Sequence, residues 1–286
     1  MHDTSISRRT LGAAAGMALI AAALATPALA QSLLERVEAG EPIRIGFANE
    51  LPFAYPGDDG SPKGFVNVIT IGVLNEMGYE NIEPVQTEWG GLIPGLNAGR
   101  FDIITGGMNI LASRCENIAF SEPIARIGDA FIVAEGNPKG IGNYNSLKES
   151  GAIMVTGAGY SNIEAAKDAG VSEDSIMIVP GPTEILAAVR AGRADAGAGT
   201  YFTVKQLADS SDGAVDVTDP DAMPEETFNW AGIGFRDQDQ DFLAKFNAAL
   251  EEYLGSEEMM AAVAEYGYDQ GTLPGDKTTE WVCANR

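Results

Sequence analysis

The sequence predicts an α/β protein of two lobes, each built on a doubly wound, mostly parallel sheet, joined by a hinge that the chain crosses twice. Three observations predict this fold. Short β-rich runs alternate with helical patterns in two successive rounds. The phrase Leu…Ala-Gly-Arg-x-Asp occurs once in each round, at 96–102 and 186–195. Two apolar extended stretches, 129–136 and 228–235, flank the second round.

The first thirty residues predict an export signal, which we set apart from the fold. A twin arginine, Arg8 and Arg9, precedes an apolar run that ends in Ala-x-Ala at 28–30. The alternative is a membrane anchor, but the run consists mostly of Ala and Gly and contains Pro27. We therefore expect a twin-arginine signal peptide over 1–30, cleavage near Ala30 and a periplasmic protein.

The composition excludes several function classes. Removal of the signal leaves 16 basic and 40 acidic residues, a formal charge of −24 that disfavours nucleic acid and anionic lipid as partners. A solvated surface explains this charge, and a salt-rich habitat is a second interpretation. The only histidine, His2, lies in the signal, so the mature chain lacks a Ser-His-Asp or Cys-His nucleophile and a histidine metal site. We expect no metal and no cofactor.

Each round predicts a β-α-β-α-β unit, which favours a parallel sheet with helices on both faces. The first round comprises PIRIGFA (42–48), VITIGVLNEMG (68–78), IEPVQTE (82–88), LIPGLNAGR (92–100) and FDIITGG (101–107). The second comprises AIMVTGA (152–158), NIEAAKDAG (162–170), SIMIVPG (175–181), PTEILAAVRAGR (182–193) and ADAGAGT (194–200). The shared Ala-Gly-Arg phrase indicates related lobes, although a common helix-to-strand junction is the alternative explanation.

The two extended stretches set the predicted lobe boundaries. If the chain crosses at both, lobe 1 comprises 31–133 and 233–286, and lobe 2 comprises 134–232, with a hinge between them. Two cysteines, Cys115 and Cys283, remain in a chain destined for an oxidising compartment, which predicts one disulfide. Its two ends should then lie in the same lobe.

Four runs resemble the extracellular solute-binding proteins, family 3, that serve ABC importers. They are GFANELPFAY (46–55), LIPGLNAGRFD (92–102), SRCENIAFSEP (113–123) and GPTEILAAVRAGRADA (181–196). The resemblance implies the two-lobed periplasmic-binding-protein fold, which closes on a small polar solute and delivers it to a membrane permease without turnover. We therefore expect a monomer whose partners are a small zwitterionic solute and the ABC permease subunits.

Within this family, the chain resembles most the binders of ectoine and 5-hydroxyectoine. An acid stands in NELPF (49–53) where amino-acid binders usually carry an aromatic, Arg-Cys occurs at 114–115, and Thr-Thr…Cys ends the chain at 278–283. The alternative within the family is a binder of a polar or cationic amino acid. A ligand-sensing partner of a membrane receptor has the same fold and site. A more remote alternative is a cyclohexadienyl dehydratase-like enzyme, in which Glu50 or Glu88 acts as an acid if burial raises its pKa.

The cationic end of such a solute needs a negative and aromatic environment where water is excluded. Glu50 is the candidate countercharge, and Phe53 offers a ring face to the same cation. Trp89 stands where the family usually carries an aromatic lid. The alternatives are a solvated surface acid for Glu50, loop packing for Phe53 and core filling for Trp89. Tyr55 is either a loop residue or a further contact.

The anionic end needs a two-donor partner, and Arg114 stands where family members place an arginine for a carboxylate. Its alternative is a surface ion pair. Upstream, Gly106 and Gly107 permit close backbone approach, and we expect Asn109 to contact the same carboxylate. Asn109 replaces an aromatic of the ectoine binders that the chain resembles, which weakens the ectoine assignment.

The second lobe contributes a glycine turn that opens a helix at 157–166. Ser161 or Asn162 should cap this helix and present free N–H groups to a carboxylate, although an ordinary helix cap is an equal interpretation. Amino-acid binders of the family usually place an aspartate five residues after the Gly-Arg-x-Asp aspartate. Here Thr200 stands five residues after Asp195, which favours a solute whose cation meets Glu50 instead.

Overall fold

The computed structural model describes His2, residues 31–224 and residues 227–286, so the predicted export signal lies outside the described residues. Within the described part of the chain, no helix is both long and apolar enough to cross a bilayer. The part before the first crossing comprises α1 (Leu33–Glu38), β1 (Ile43–Phe47), β2 (Tyr55–Pro56), β3 (Pro62–Lys63), α2 (Phe65–Glu76), β4 (Ile82–Gln86), α3 (Leu92–Asn97), β5 (Ile103–Asn109), α4 (Ala112–Cys115), β6 (Ala119–Phe120) and β7 (Ala125–Ile127).

The second lobe follows, and the chain then returns to the first. The second lobe comprises β8 (Asp129–Ala134), α5 (Tyr144–Glu149), β9 (Met154–Gly157), α6 (Asn162–Asp168), β10 (Ile176–Val179), α7 (Pro182–Arg190), β11 (Ala196–Thr200), α8 (Tyr201–Asp209) and β12 (Val215–Val217). The returning part comprises β13 (Asn229–Phe235), α9 (Gln240–Tyr253), α10 (Glu257–Val263) and α11 (Thr279–Asn285).

Each lobe contains one sheet centred on three parallel strands. In the first sheet, β4, β1 and β5 are parallel, and β13 runs antiparallel to β5, β6 and β7. In the second, β10, β9 and β11 are parallel, and β8 runs antiparallel to β11 and β12. The predicted two-lobed α/β fold is confirmed. The antiparallel strands β8 and β13 are the two apolar stretches that flank the second round.

Buried apolar clusters cover both faces of each sheet. In the first lobe, α2, α9 and α10 pack on one face, while α3 and α11 pack on the other. In the second lobe, α5 and α6 cover one face, and α7 and α8 cover the other. This arrangement makes each sheet doubly wound, because helices shield it from water on both sides.

The repeated Ala-Gly-Arg-x-Asp phrase has the same structural role in both lobes. Gly99 and Gly192 have φ of 68° and 64° and follow the last turns of α3 and α7, where a left-handed residue ends a helix. The aspartate then accepts a backbone N–H from the neighbouring strand region. Asp102 accepts from Arg44 at 3.0 Å, and Asp195 accepts from Ile153 at 2.8 Å. The carboxylate therefore fixes each strand beside its neighbour.

The strand pairing changes sheets a few residues earlier than the predicted boundaries. β7 pairs in the first sheet and β8 in the second, so the chain changes sheets at Gly128. It returns between Val217 and Asn229. The boundaries predicted at 133 and 233 fall inside β8 and β13. At a crossing, the last strand of one sheet and the first strand of the other are both apolar, so the sequence does not show where the chain changes sheets. The exact lobe limits remain a prediction.

The cysteines form the predicted disulfide. Cys115, the last residue of α4, is bonded to Cys283 of α11, and their Cα atoms are 6.0 Å apart. Both helices belong to the first lobe, as the sequence predicted. The segment that precedes α11 is attached by Trp230 Nε1, which donates to the carbonyl of Pro274 at 2.9 Å.

Candidate functional site

A short turn brings Glu50 and Phe53 to the cleft side of the first lobe. Glu50 and Ala54 exchange two backbone hydrogen bonds of 2.9 and 3.0 Å, which close the turn between them. The ring of Phe53 is buried, with its centroid 4.8 Å from that of Phe65. Gly107 has φ of 75°, and a Cβ there would lie 2.5 Å from the Phe53 ring. Glycine is therefore required for this close approach.

Trp89 and Tyr160 meet across the cleft. Trp89 begins a short 3-10 helix, and its Nε1 donates to the carbonyl of Gly159 in the second lobe at 3.2 Å. Its ring lies edge-on to that of Tyr160, with centroids 5.5 Å apart. Because each ring comes from a different lobe, this part of the aromatic lining is complete only when the lobes are in contact.

Asn109 and Ser161 form another contact between the lobes. Asn109 ends β5 and donates from Nδ2 to Ser161 Oγ at 2.9 Å. Ser161 occupies the predicted N-cap position of α6, yet its side chain makes no capping hydrogen bond. The Oδ1 atom of Asn109 is buried and has no hydrogen-bond partner among the described residues. An unpaired buried acceptor is costly, so this atom marks a place for a donor.

Arg114 lies behind Asn109 and does not line the cavity. Its guanidinium donates to the carbonyl of Asn109 at 2.7 Å and to that of Gly159, in the second lobe, at 2.9 Å. Burial lowers the pKa of Arg114 to about 10, although the charge of Glu164 acts in the opposite direction. Among the described residues, no carboxylate forms an ion pair with Arg114.

Glu50 is a buried acid with one polar side-chain partner from the second lobe. Only 4% of the residue is exposed, and its carboxylate accepts a hydrogen bond from the Tyr160 hydroxyl. Burial raises the pKa of Glu50 to about 7; the hydrogen bond opposes this shift and the charge of Glu88 adds to it. In residues 31–224 and 227–286, no cation forms an ion pair with Glu50.

One cavity lies among these groups, between the two lobes. Eight of the nine predicted binding residues line it, and Arg114 is the exception. Tyr55 lies elsewhere, in β2 beside Tyr266. The sequence analysis missed Tyr160 and Thr203. The complete lining is Glu50, Phe53, Trp89, Gly106, Gly107, Asn109, Tyr160, Ser161, Asn162, Thr200 and Thr203.

Two positions from the second lobe complete the wall. Thr200 caps α8, where its hydroxyl accepts from the Thr203 backbone at 3.4 Å and lies 3.1 Å from the Thr203 hydroxyl. Asn162 is the first residue of α6 and is 2% exposed. The described part of the chain contains no cluster of three or more His, Cys, Asp or Glu residues that could hold a metal ion. The chemistry of this cavity is that of hydrogen bonding, charge and aromatic faces.

The sequence profile of the bacterial extracellular solute-binding proteins, family 3, matches residues 43–269. The chain belongs to this family. The match spans both lobes and every residue of the cavity lining, so solute binding is established at the level of the family.

Similar proteins agree with this assignment. A probable amino-acid ABC transporter periplasmic-binding protein of Sinorhizobium fredii is 34% identical over 88% of this chain and 86% of that protein. The L-cystine-binding protein TcyJ of Escherichia coli is 25% identical over 88% of this chain and 92% of its own length. Among solved structures, EhuB in complex with hydroxyectoine has a TM-score of 0.79 and 27% identity, covering 89% of this chain and 98% of that one.

Proposed function

We propose that the protein is the periplasmic solute-binding component of an ABC importer and that it captures a small zwitterionic solute between its lobes. One observation carries the proposal. A buried carboxylate, Glu50, lines the interlobe cavity, and a buried guanidinium, Arg114, lies behind the lining residue Asn109; neither has an ion-pair partner among the described residues. Burying an unpaired charge is costly, so a ligand with both charges fits this arrangement.

Glu50 and the aromatic rings receive the cationic end in this proposal. The solute cation takes the carboxylate of Glu50 as countercharge and lies against Phe53 and Trp89. The unpaired Oδ1 of Asn109 accepts an N–H or O–H from the same solute. This role differs from the sequence-based expectation that Asn109 contacts the solute carboxylate, because the buried atom without a partner is the acceptor Oδ1, while Nδ2 donates to Ser161.

The proposed partner of the solute carboxylate is Arg114, which lies behind Asn109 and has to move toward the cavity to reach it. Each terminal nitrogen of a guanidinium carries two N–H groups, so the bonds to Asn109 and Gly159 leave further donors. The ligand candidates are ectoine or 5-hydroxyectoine, which the resemblance to EhuB favours, and a polar or cationic amino acid, which the relatives from Sinorhizobium fredii and Escherichia coli favour. Arg114→Ala should weaken binding of either class by about 2–5 kcal/mol, because it removes the only buried partner proposed for the carboxylate.

A thermal-unfolding screen tests the proposal directly. The panel is ectoine, hydroxyectoine, glutamine, lysine, arginine and cystine. A solute present at about 100 times its Kd should raise the free energy of unfolding by roughly 2.7 kcal/mol. Buffer without solute and buffer with an uncharged sugar serve as controls. A melting temperature that none of the panel changes would contradict solute capture at this site.

The raised pKa of Glu50, about 7, keeps one enzymatic alternative open to test. A carboxyl that titrates near neutrality suits general acid catalysis, as in a cyclohexadienyl dehydratase-like reaction. Incubation with prephenate or arogenate distinguishes the two functions, since formation of an aromatic product requires catalysis. We propose binding without turnover, and therefore expect no aromatic product.

A further inference from the structure

Four buried polar side chains connect the cavity with the two crossings between the lobes. Asn162 Nδ2 lies 2.9 Å from the Tyr144 hydroxyl, which lies 2.8 Å from Oδ2 of Asp129. Nδ2 of Asn229 lies 3.2 Å from the other carboxylate oxygen of Asp129. None of the four is more than 3% exposed. Asp129 begins β8 and Asn229 begins β13, so both ends of the hinge meet here.

The direction of each hydrogen bond in this chain follows from its charged members. Arg286 Nη2 lies 3.3 Å from Oδ1 of Asn229, and a guanidinium only donates. The Asn229 amide therefore directs Nδ2 at Asp129. An ionised carboxylate only accepts, so the single hydroxyl hydrogen of Tyr144 points at Asp129, and the hydroxyl oxygen accepts from Asn162.

This direction determines what Asn162 offers to a solute. One N–H of its Nδ2 donates to Tyr144, while Oδ1 has no hydrogen-bond partner within residues 31–224 and 227–286. Asn162 lines the cavity beside Thr200, whose backbone pairs with that of Asp129. The wall of the second lobe thus carries an amide whose Nδ2 is directed at Tyr144 and whose acceptor atom Oδ1 is available.

We propose that Asp129 is a positioning residue that, through Tyr144, fixes Asn162 with its Oδ1 atom available to the solute. This wall then offers an acceptor to an N–H or O–H group of the solute. Together with Glu50 and Asn109 Oδ1, it selects a solute that carries several donors on its cationic side. The inference rests on the proposed function, because it assigns one wall of the same binding site.

A neutral group at position 129 would remove this constraint. An amide there can donate to the Tyr144 oxygen, which frees the hydroxyl hydrogen for Asn162 and lets its amide turn. Burial raises the pKa of Asp129 to about 7, so experiments belong at pH 8, where the carboxyl is ionised. The other groups that face it are Tyr144 of α5, Asn162 of α6, Asn229 of β13 and Arg286 at the C-terminus.

Titration calorimetry with hydroxyectoine and with L-arginine tests the proposal in three variants. D129N and Y144F should each lower the affinity for whichever of these two solutes binds wild type more tightly by about tenfold. The double variant D129N/N162D exchanges carboxylate and amide, so acceptor oxygens still face the cavity and the affinity should return to within about threefold of wild type. Y268F, which removes the buried hydroxyl bonded to the Ile124 carbonyl in the first lobe, is the matched control and should bind like wild type.

Two results would overturn the assignment. D129N and Y144F that bind like wild type would show that Asn162 needs no fixed direction. A double variant that binds more weakly than D129N would show that position 162 donates to the solute. If D129N weakened binding only by disturbing the fold, the double variant D129N/N162D would not regain the affinity.

A second measurement needs no solute and keeps the two proposals separable. In ¹³C NMR, the carboxyl signal of Asp129, assigned by its loss in D129N or its change in Y144F, should be that of an ionised group at pH 8. Loss of the hydroxyl donor in Y144F should raise its pKa. A carboxyl that is still protonated at pH 8 would overturn the inference. If wild type binds neither solute, the proposed ligand classes fail, whereas this titration still decides the role of Asp129.

Discussion

The affinity for a cationic solute should depend on the ionisation of Glu50. Burial raises the pKa of this carboxyl to about 7, and the Tyr160 hydrogen bond offsets the shift only in part. A solute cation pairs with the ionised form. Below pH 7, binding must therefore also remove a proton, and the apparent affinity falls.

The size of this effect follows from the pKa. With a pKa of about 7, the ionised fraction of Glu50 changes from about 0.9 at pH 8 to about 0.1 at pH 6. The apparent affinity should fall about tenfold over this range, which corresponds to about 1.4 kcal/mol. Glu50→Gln preserves the shape of the side chain but cannot ionise. It should bind the cation more weakly at pH 8 and lose this part of the pH dependence.

Titration calorimetry of wild type and Glu50→Gln at pH 6, 7 and 8 provides the assay. Burial also raises the pKa of Asp129 to about 7, so the decisive quantity is the difference between the two slopes of affinity against pH. The reasoning fails if Glu50→Gln binds a cationic solute as tightly as wild type at pH 8 and shows the same slope.

Three further predictions concern the cavity, the disulfide and the lobes. Trp89→Ala should weaken binding by roughly 1–3 kcal/mol in calorimetry, because its ring lines the cavity, whereas unchanged affinity would make it a packing residue. Replacing Cys115 and Cys283 by Ser should lower the free energy of unfolding by about 2–5 kcal/mol in denaturant titrations; equal midpoints would contradict this. Solute binding should stabilise the lobe contact and reduce the radius of gyration in small-angle scattering, unless scattering without solute already matches the contacting lobes.

The fold was predictable because its signals are local. The alternation of short apolar runs with helical patterns reflects burial on both sides of a parallel sheet. The repeated Ala-Gly-Arg-x-Asp phrase combines a helix-ending glycine with an aspartate that accepts a strand N–H, and both parts lie within one junction. The strand pairing changes sheets at Gly128, five residues before the predicted lobe limit at 133, and no local pattern distinguishes strands of adjacent sheets.

The site was predictable in its first lobe and less so in its second. The turn around Glu50 and the strand that ends at Asn109 are recognisable by sequence, and most of the predicted residues line the cavity. Tyr160 was missed, although it stands between the glycine turn and the helix start, because its direction depends on contact with Trp89 and Glu50. Asp129 bonds to side chains 15 and 100 residues away, and such a pairing leaves no local pattern.

Calorimetry of the wild-type protein with ectoine, hydroxyectoine, glutamine, lysine and arginine tests the central claim most directly, with Glu50→Gln and Arg114→Ala measured beside it. We predict one-to-one binding of a zwitterion that both variants weaken, since each removes one of two opposite buried charges. If wild type binds an amino acid and Glu50→Gln binds it with the same affinity, the ectoine class and the cation site at Glu50 are excluded. Failure of every solute to bind wild type would contradict capture of a small zwitterion between the lobes.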